Sequence, residues 1–160
     1  MSVKKIRIGI ICPSEIAFRR FMPALIQCDD FEYAGIAVAN ADEWGGDFSD
    51  EMRKAEYAKA ENFAEEYGGE IFDSYTALLT SDKVDAVYLP LPPALHYKWG
   101  IQVLKNSKHL FCEKPSTTNY RDAKELIEFA ESKNLAVHEN YMFRFHSQID
   151  YALDCVKKGR

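Results

Sequence analysis

Polar and apolar positions alternate from Lys5 to Ile11 (Lys5-Ile6-Arg7-Ile8-Gly9-Ile10-Ile11) and end on an apolar pair, as a first strand entering a core should. Helical spacing follows through Ile16 and Arg20. Pro23, which has no amide donor, is expected to break or kink that segment. Phe31 to Ala39 predicts a second strand, and the polar stretch 40–52, with Gly45-Gly46 in its middle, predicts a loop. Tyr57, Ala60, Ala64 and Tyr67 mark a helix over about 53–67, with Gly68 as its stop.

Ile71-Phe72 predicts a brief strand, and 75–79 a short helix. Asp85 to Leu89 is a fourth strand, ended by the turn Pro90-Leu91-Pro92-Pro93, and a helix over 95–104 leads to a fifth strand, His109 to Cys112. Asn119, three residues before Asp122, signals the cap of a helix carrying Ala123, Leu126, Ile127 and Ala130. A sixth strand over 135–138 and a last helical stripe of Ile149, Ala152, Leu153 and Val156 complete the chain. Six strands alternating with helices predict an α/β fold: a doubly wound, mainly parallel, Rossmann-like sheet with helices on both faces.

Composition narrows the function classes. The 160 residues, 47% hydrophobic and 28% charged, suit one ordinary domain or two small ones. The net charge of -5 is local: residues 41–70 hold ten acids and three bases, and the remainder fifteen acids and seventeen bases. No basic stripe follows a phosphate backbone, so nucleic acid is not an expected partner, and no apolar run is long enough to expect a membrane. Cys12, Cys28, Cys112 and Cys155 are scattered without a C-x-x-C pair, and the N-terminus lacks a signal-peptide pattern. A cytoplasmic setting is the expectation. His109, His138 and His146 have no ligand spacing, so no metal is expected.

In a sheet of this kind ligands bind beyond the carboxyl ends of the strands. The loop after the first strand is Cys12-Pro13-Ser14-Glu15-Ile16-Ala17, where a dinucleotide fingerprint would have glycines at 12 and 14 and a small residue at 17. Only Ala17 fits, although amides after Ser14 could still hold an anion. Asn40, about twenty residues on, lies where an acid would grip an adenosine ribose; it also suits a turn. Glu113-Lys114-Pro115 places an ammonium at the same sheet edge, where a partly buried lysine could exchange a proton; a solvated Glu–Lys pair is the plainer alternative.

Taken in order, these motifs resemble the Gfo/Idh/MocA family of NAD(P)-dependent oxidoreductases over nearly the whole chain. The resemblance rests on Ile6–Ile11, Ile16-Ala17, Pro23-Ala24-Leu25, Asp85–Pro92, Leu95-His96, Cys112–Pro115 and Glu139–Phe145. It implies a domain over 1–145 that binds NAD or NADP. Residues 146–160 would form a helix leading to a C-terminal substrate domain absent from this chain. Hydride transfer to or from a hydroxyl or carbonyl carbon, often of a sugar or cyclitol, is the implied reaction.

By the same resemblance Lys114 relays the substrate proton. Ser14, Glu15, Ile16, Leu91, Pro93, His96 and Glu113 border the cofactor; Asn140 and Arg144 lie near the cleft, the latter on the substrate side. A small-molecule substrate and a full-length homo-oligomer are expected. Three departures stand out: the two missing glycines, Pro93 in place of a common asparagine, and a long acidic 40–52 segment that leans the choice towards NAD. A non-catalytic interaction module with a degenerate phosphate loop is the alternative expectation.

Overall fold

The computed structural model describes residues 4–159. Six strands form one parallel sheet: β1 (Ile6–Ile11), β2 (Phe31–Ala37), β3 (Glu70–Phe72), β4 (Ala86–Leu89), β5 (His109–Glu113) and β6 (Val137–Asn140). Their spatial order is β3-β2-β1-β4-β5-β6, so the winding reverses between β1 and β4. Such a reversal opens a crevice at the carboxyl edge, because the chain leaves the two strands towards opposite faces.

Alternation along each strand sends side chains into two cores. Ile8, Ile10, Ile36 and Val38 pack with Ala17, Met22, Leu25, Ala60 and Phe63. Ile11, Ala37, Val87 and Leu89 pack on the other face with Tyr75, Leu78, Trp99, Leu104 and Leu126. The first face is covered by the helical segment after β1 and by α3 (Asp50–Tyr67). The second is covered by α4 (Tyr75–Thr80), α5 (Pro93–Lys105) and α6 (Tyr120–Ser132). Gly35 permits the tight β2–β3 pairing: its φ is +152°, and a Cβ there would lie 2.2 Å from the Glu70 carbonyl oxygen.

Three local expectations need correction. Pro23 does not break the first helical segment, since a π-helical turn over Ala17–Phe21 runs into α1 (Met22–Leu25) with the proline in the first turn of α1. The proline lies inside a helical run that begins at Glu15, and the π-helical turn before it takes up the missing N–H. Nor is 40–52 all loop: α2 (Ala41–Trp44) occupies its start, and α3 begins at Asp50, capped by the Ser49 hydroxyl. β6 also starts and ends two residues later than the apolar pattern suggested, bringing Asn140 into the strand. A 3-10 turn (Met142–Phe145) and α7 (Ser147–Lys157) follow, with Tyr151, Leu153 and Val156 exposed. Among the described residues no helix is long and apolar enough to cross a membrane.

Candidate functional site

The crevice at the β1/β4 reversal holds a cavity of about 680 Å³. Its floor is the β1 loop, Cys12-Pro13-Ser14-Glu15. Its far wall is the β4 exit, Pro90-Leu91-Pro92, with Leu95 behind. A third side comes from α3 and α2 through Glu56, Lys59, Asn62 and Trp44.

Backbone conformation explains the floor. Cys12 has φ +78°, the left-handed turn that a glycine would adopt freely, and its N–H still donates to Ala37 O at 3.2 Å. Ser14 turns inward: its N–H donates to Cys12 O at 2.8 Å, and its hydroxyl accepts the Ala17 N–H at 3.2 Å. Pro13 offers no donor. Amides of Glu15 and Ile16 open the helix, where no intrahelical acceptor reaches them, and they are the donors this loop has for an anion. Burial pushes the Cys12 thiol up to about 11, nearby Glu56 adds to the effect, and a hydrogen bond with the Tyr75 hydroxyl opposes it.

Asn40 is engaged locally. Its side chain accepts the Glu43 N–H at 3.0 Å while Glu43 accepts the Asn40 N–H at 3.1 Å, a reciprocal cap on α2. Glu43 is buried and also accepts the backbone amides of Tyr75 and Thr76, both at 2.8 Å, and the Thr76 hydroxyl at 2.6 Å. Lys59 pairs with Glu56, and Arg19 with Glu15 at 2.6 Å. The cavity wall therefore presents three carboxylates and two cations.

Beyond β5, the residues around Lys114 are individually held. Glu113 is buried and its Oε1 accepts from the Tyr88 hydroxyl at 2.7 Å and from Asn140 Nδ2 at 2.6 Å. Burial, then Glu113, keep the Tyr88 phenol well above its ordinary value. Ser116 N–H donates to Glu139 Oε1 at 2.6 Å. Lys114 itself is exposed, and its ammonium has no side-chain hydrogen bond or ion pair among the described residues.

The residues singled out in the sequence thus separate. Ser14, Glu15 and Leu91 line the cavity; Ile16, Glu113 and Asn140 line a second one of about 630 Å³ on the uncovered face of β4–β6. Pro93 is exposed at the start of α5 and lines neither, and Lys114 and Arg144 are likewise exposed outside both. His96 is fully buried and lines neither cavity. Sequence reasoning missed Glu56, Lys59 and Asn62. Their i, i+3, i+6 spacing, one face of α3, was the available signal.

A dinucleotide is compatible with this chemistry. The apolar β4 exit suits a flat ring, the free first-turn amides suit a phosphate, and the left-handed turn at Cys12 keeps the backbone path that a fingerprint glycine would provide.

Comparison with known proteins agrees. The family described as "Oxidoreductase family, NAD-binding Rossmann fold" (GFO_IDH_MocA) matches residues 50–141. A dTDP-3,4-didehydro-2,6-dideoxy-α-D-glucose 3-reductase from Saccharopolyspora spinosa is 37% identical over 156 residues, 98% of this chain and 42% of that protein. D-xylose 1-dehydrogenase (NADP(+)) 2 from Haloferax volcanii is 32% identical over 149 residues, 92% of this chain and 41% of its own. The crystal structure of a 3-ketoreductase from Actinomadura kijaniata in complex with NADP and TDP-benzene superposes with a TM-score of 0.83 at 36% identity, covering 98% of this chain and 43% of the other. The chain spans less than half the length of these relatives.

Proposed function

The chain belongs to the Gfo/Idh/MocA family of oxidoreductases, and from that premise we propose that it is the NAD(P)-binding part of an enzyme that moves hydride to or from a hydroxyl or carbonyl carbon of a sugar-type substrate. The carrying observation is the cavity of about 680 Å³ at the β1/β4 reversal, floored by a left-handed turn and walled by Pro90, Leu91 and Pro92. In this reading the amides of Glu15 and Ile16 hold the pyrophosphate, and Leu91 flanks a cofactor ring. When bound, the dinucleotide supplies or accepts the hydride.

Lys114 then carries the proton. Its ammonium, exposed and uncommitted, donates to the developing alkoxide oxygen during reduction and takes the proton back during oxidation. Residues 1–145 form the cofactor unit in this account. Residues 146–160 lead into a substrate domain, and the exposed Leu153 and Val156 of α7 are available for that domain or for a second subunit. Three carboxylates against two cations at the cavity wall support NAD over the more charged NADP, although NADP occupies the Actinomadura neighbour.

A second reading has one observation behind it. Pro13 gives no donor and the Ser14 N–H is committed to Cys12 O, which favours a scaffold that no longer binds a dinucleotide. The test of the catalytic reading is Lys114→Ala in the full-length enzyme. The expected result is a loss of kcat of roughly 10²- to 10⁴-fold with cofactor affinity preserved. An unchanged kcat would remove Lys114 from the chemistry.

A further inference from the structure

Between the β4 exit and the loop after β5 lies a fully buried imidazole. His96 sits in the first turns of α5 at 0% exposure, with Nδ1 2.7 Å from Pro115 O and Nε2 2.5 Å from Leu91 O. One acceptor belongs to the β4 exit and the other to the residue directly after Lys114. Both partners are carbonyl oxygens, so the ring donates from whichever nitrogen carries the proton and packs between the two loops.

We propose that His96 is a positioning residue, a cross-link that fixes the backbone beside Lys114 relative to the Leu91 loop of the cavity. The inference rests on the reading of Lys114 and the crevice given above. Every other tether near Lys114 comes from strands of the sheet: Tyr88 and Asn140 hold Glu113, and Glu139 holds the Ser116 amide. These fix the loop to the β4, β5 and β6 edge but leave its distance from the β4 exit unset. Only His96, among the hydrogen bonds of the described residues, ties the two loops to each other. Lys114, between the pinned Glu113 and Pro115, keeps a free side chain on a fixed backbone. That arrangement limits the volume its ammonium explores, which is how a proton donor is held in reach of a bound ring.

The test compares wild type, His96→Phe, which fills the space and donates to neither carbonyl, and His96→Gln, which retains one donor group. Hydrogen exchange on the free chain reads the cross-link itself. In His96→Phe the segments 90–95 and 113–118 should exchange together at least about tenfold faster, a factor expected from losing a buried hydrogen bond, with His96→Gln between. Lysine acetylation followed by mass spectrometry then reads position: saturating NADH should shield Lys114 in wild type, less in His96→Gln, and not in His96→Phe.

Equal shielding in a folded, saturated His96→Phe would overturn the positioning role, since a merely structural histidine leaves it intact. Unchanged exchange in both loops would overturn the cross-link. A wild-type chain that binds NADH without shielding Lys114 would instead refute the placement of Lys114, a separate failure. If His96→Phe does not fold, the single-donor His96→Gln decides: wild-type exchange and shielding in that variant overturn the proposal, and graded losses in both support it.

Discussion

Glu43 accepts the backbone amide of Tyr75 at 2.8 Å, so a side chain from α2 closes the N-terminus of α4, 32 residues away. The same carboxylate caps α2 and binds the Thr76 amide and hydroxyl. One buried acid therefore determines where the β2 and β3 exits sit around the cavity. Replacing it with alanine leaves several amides without partners. Glu43→Ala should lower unfolding stability by about 2–4 kcal/mol, and Glu43→Gln by less, as read by chemical denaturation. A change within experimental error would show that water replaces these bonds at no cost.

At the opposite edge of the sheet, Arg7 holds Asp85 through two side-chain bonds of 2.8 Å and a backbone bond of 3.0 Å. The guanidinium keeps the Asp85 carboxyl well below the usual carboxylate range. A depressed acid stabilises the fold above its unfolded value of about 3.9, and that contribution disappears as pH falls towards the folded value. Asp85→Asn should therefore lower the melting temperature at pH 7 and flatten its fall between about pH 4 and 2. Parallel acid profiles for the two proteins would contradict this.

Ser14 offers a cleaner test of the phosphate loop. Its hydroxyl caps Ala17, a role glycine takes over at a cost of a few tenths of a kcal/mol. Ser14→Gly should therefore barely change the melting temperature. By clearing the backbone for a pyrophosphate it should tighten NADH binding several-fold, an increment of about 1 kcal/mol. Weaker binding would mean that the hydroxyl itself contacts the cofactor.

Three of the four free thiols should separate by reactivity. Burial pushes Cys12 up to about 11 and Cys112 to about 12, whereas Cys28 is exposed. Since the thiolate is the reacting species, a disulfide reagent at pH 8 should modify Cys28 in the native protein and leave Cys12 and Cys112 intact until it unfolds. Rapid loss of Cys12 would show that the crevice floor opens to solvent.

Much of the fold was legible because the strands announce themselves. Ile8 and Ile10 face one core and Ile11 the other, and the Asn119–Asp122 spacing became an observed cap with the Asp122 N–H on Asn119 Oδ1 at 3.0 Å. The 40–52 segment was not legible. α2 is held by a reciprocal Asn40–Glu43 cap and by contacts with α4 that no local pattern encodes. Pro23 misled for a related reason, as the preceding π-helical turn changes the register before the proline is reached.

The site was legible in its loops and illegible in its walls. Loops after strands follow from topology, which placed Ser14, Glu15 and Leu91 on the cavity. Glu56, Lys59 and Asn62 reach it from one face of α3, and which way that face turns depends on how α3 packs on the sheet. His96 was recognisable as part of a motif, but its two carbonyl partners lie 5 and 19 residues away. Sequence spacing carries no sign of the second.

Whether the crevice holds a dinucleotide decides most of this account. Calorimetric titration of the 160-residue chain with NADH and with NADPH measures it directly. Saturable binding of NADH, with NADPH weaker, is the predicted result. No heat and no saturation with either ligand would contradict the account and favour a scaffold whose Pro13–Ser14 loop has given up the cofactor.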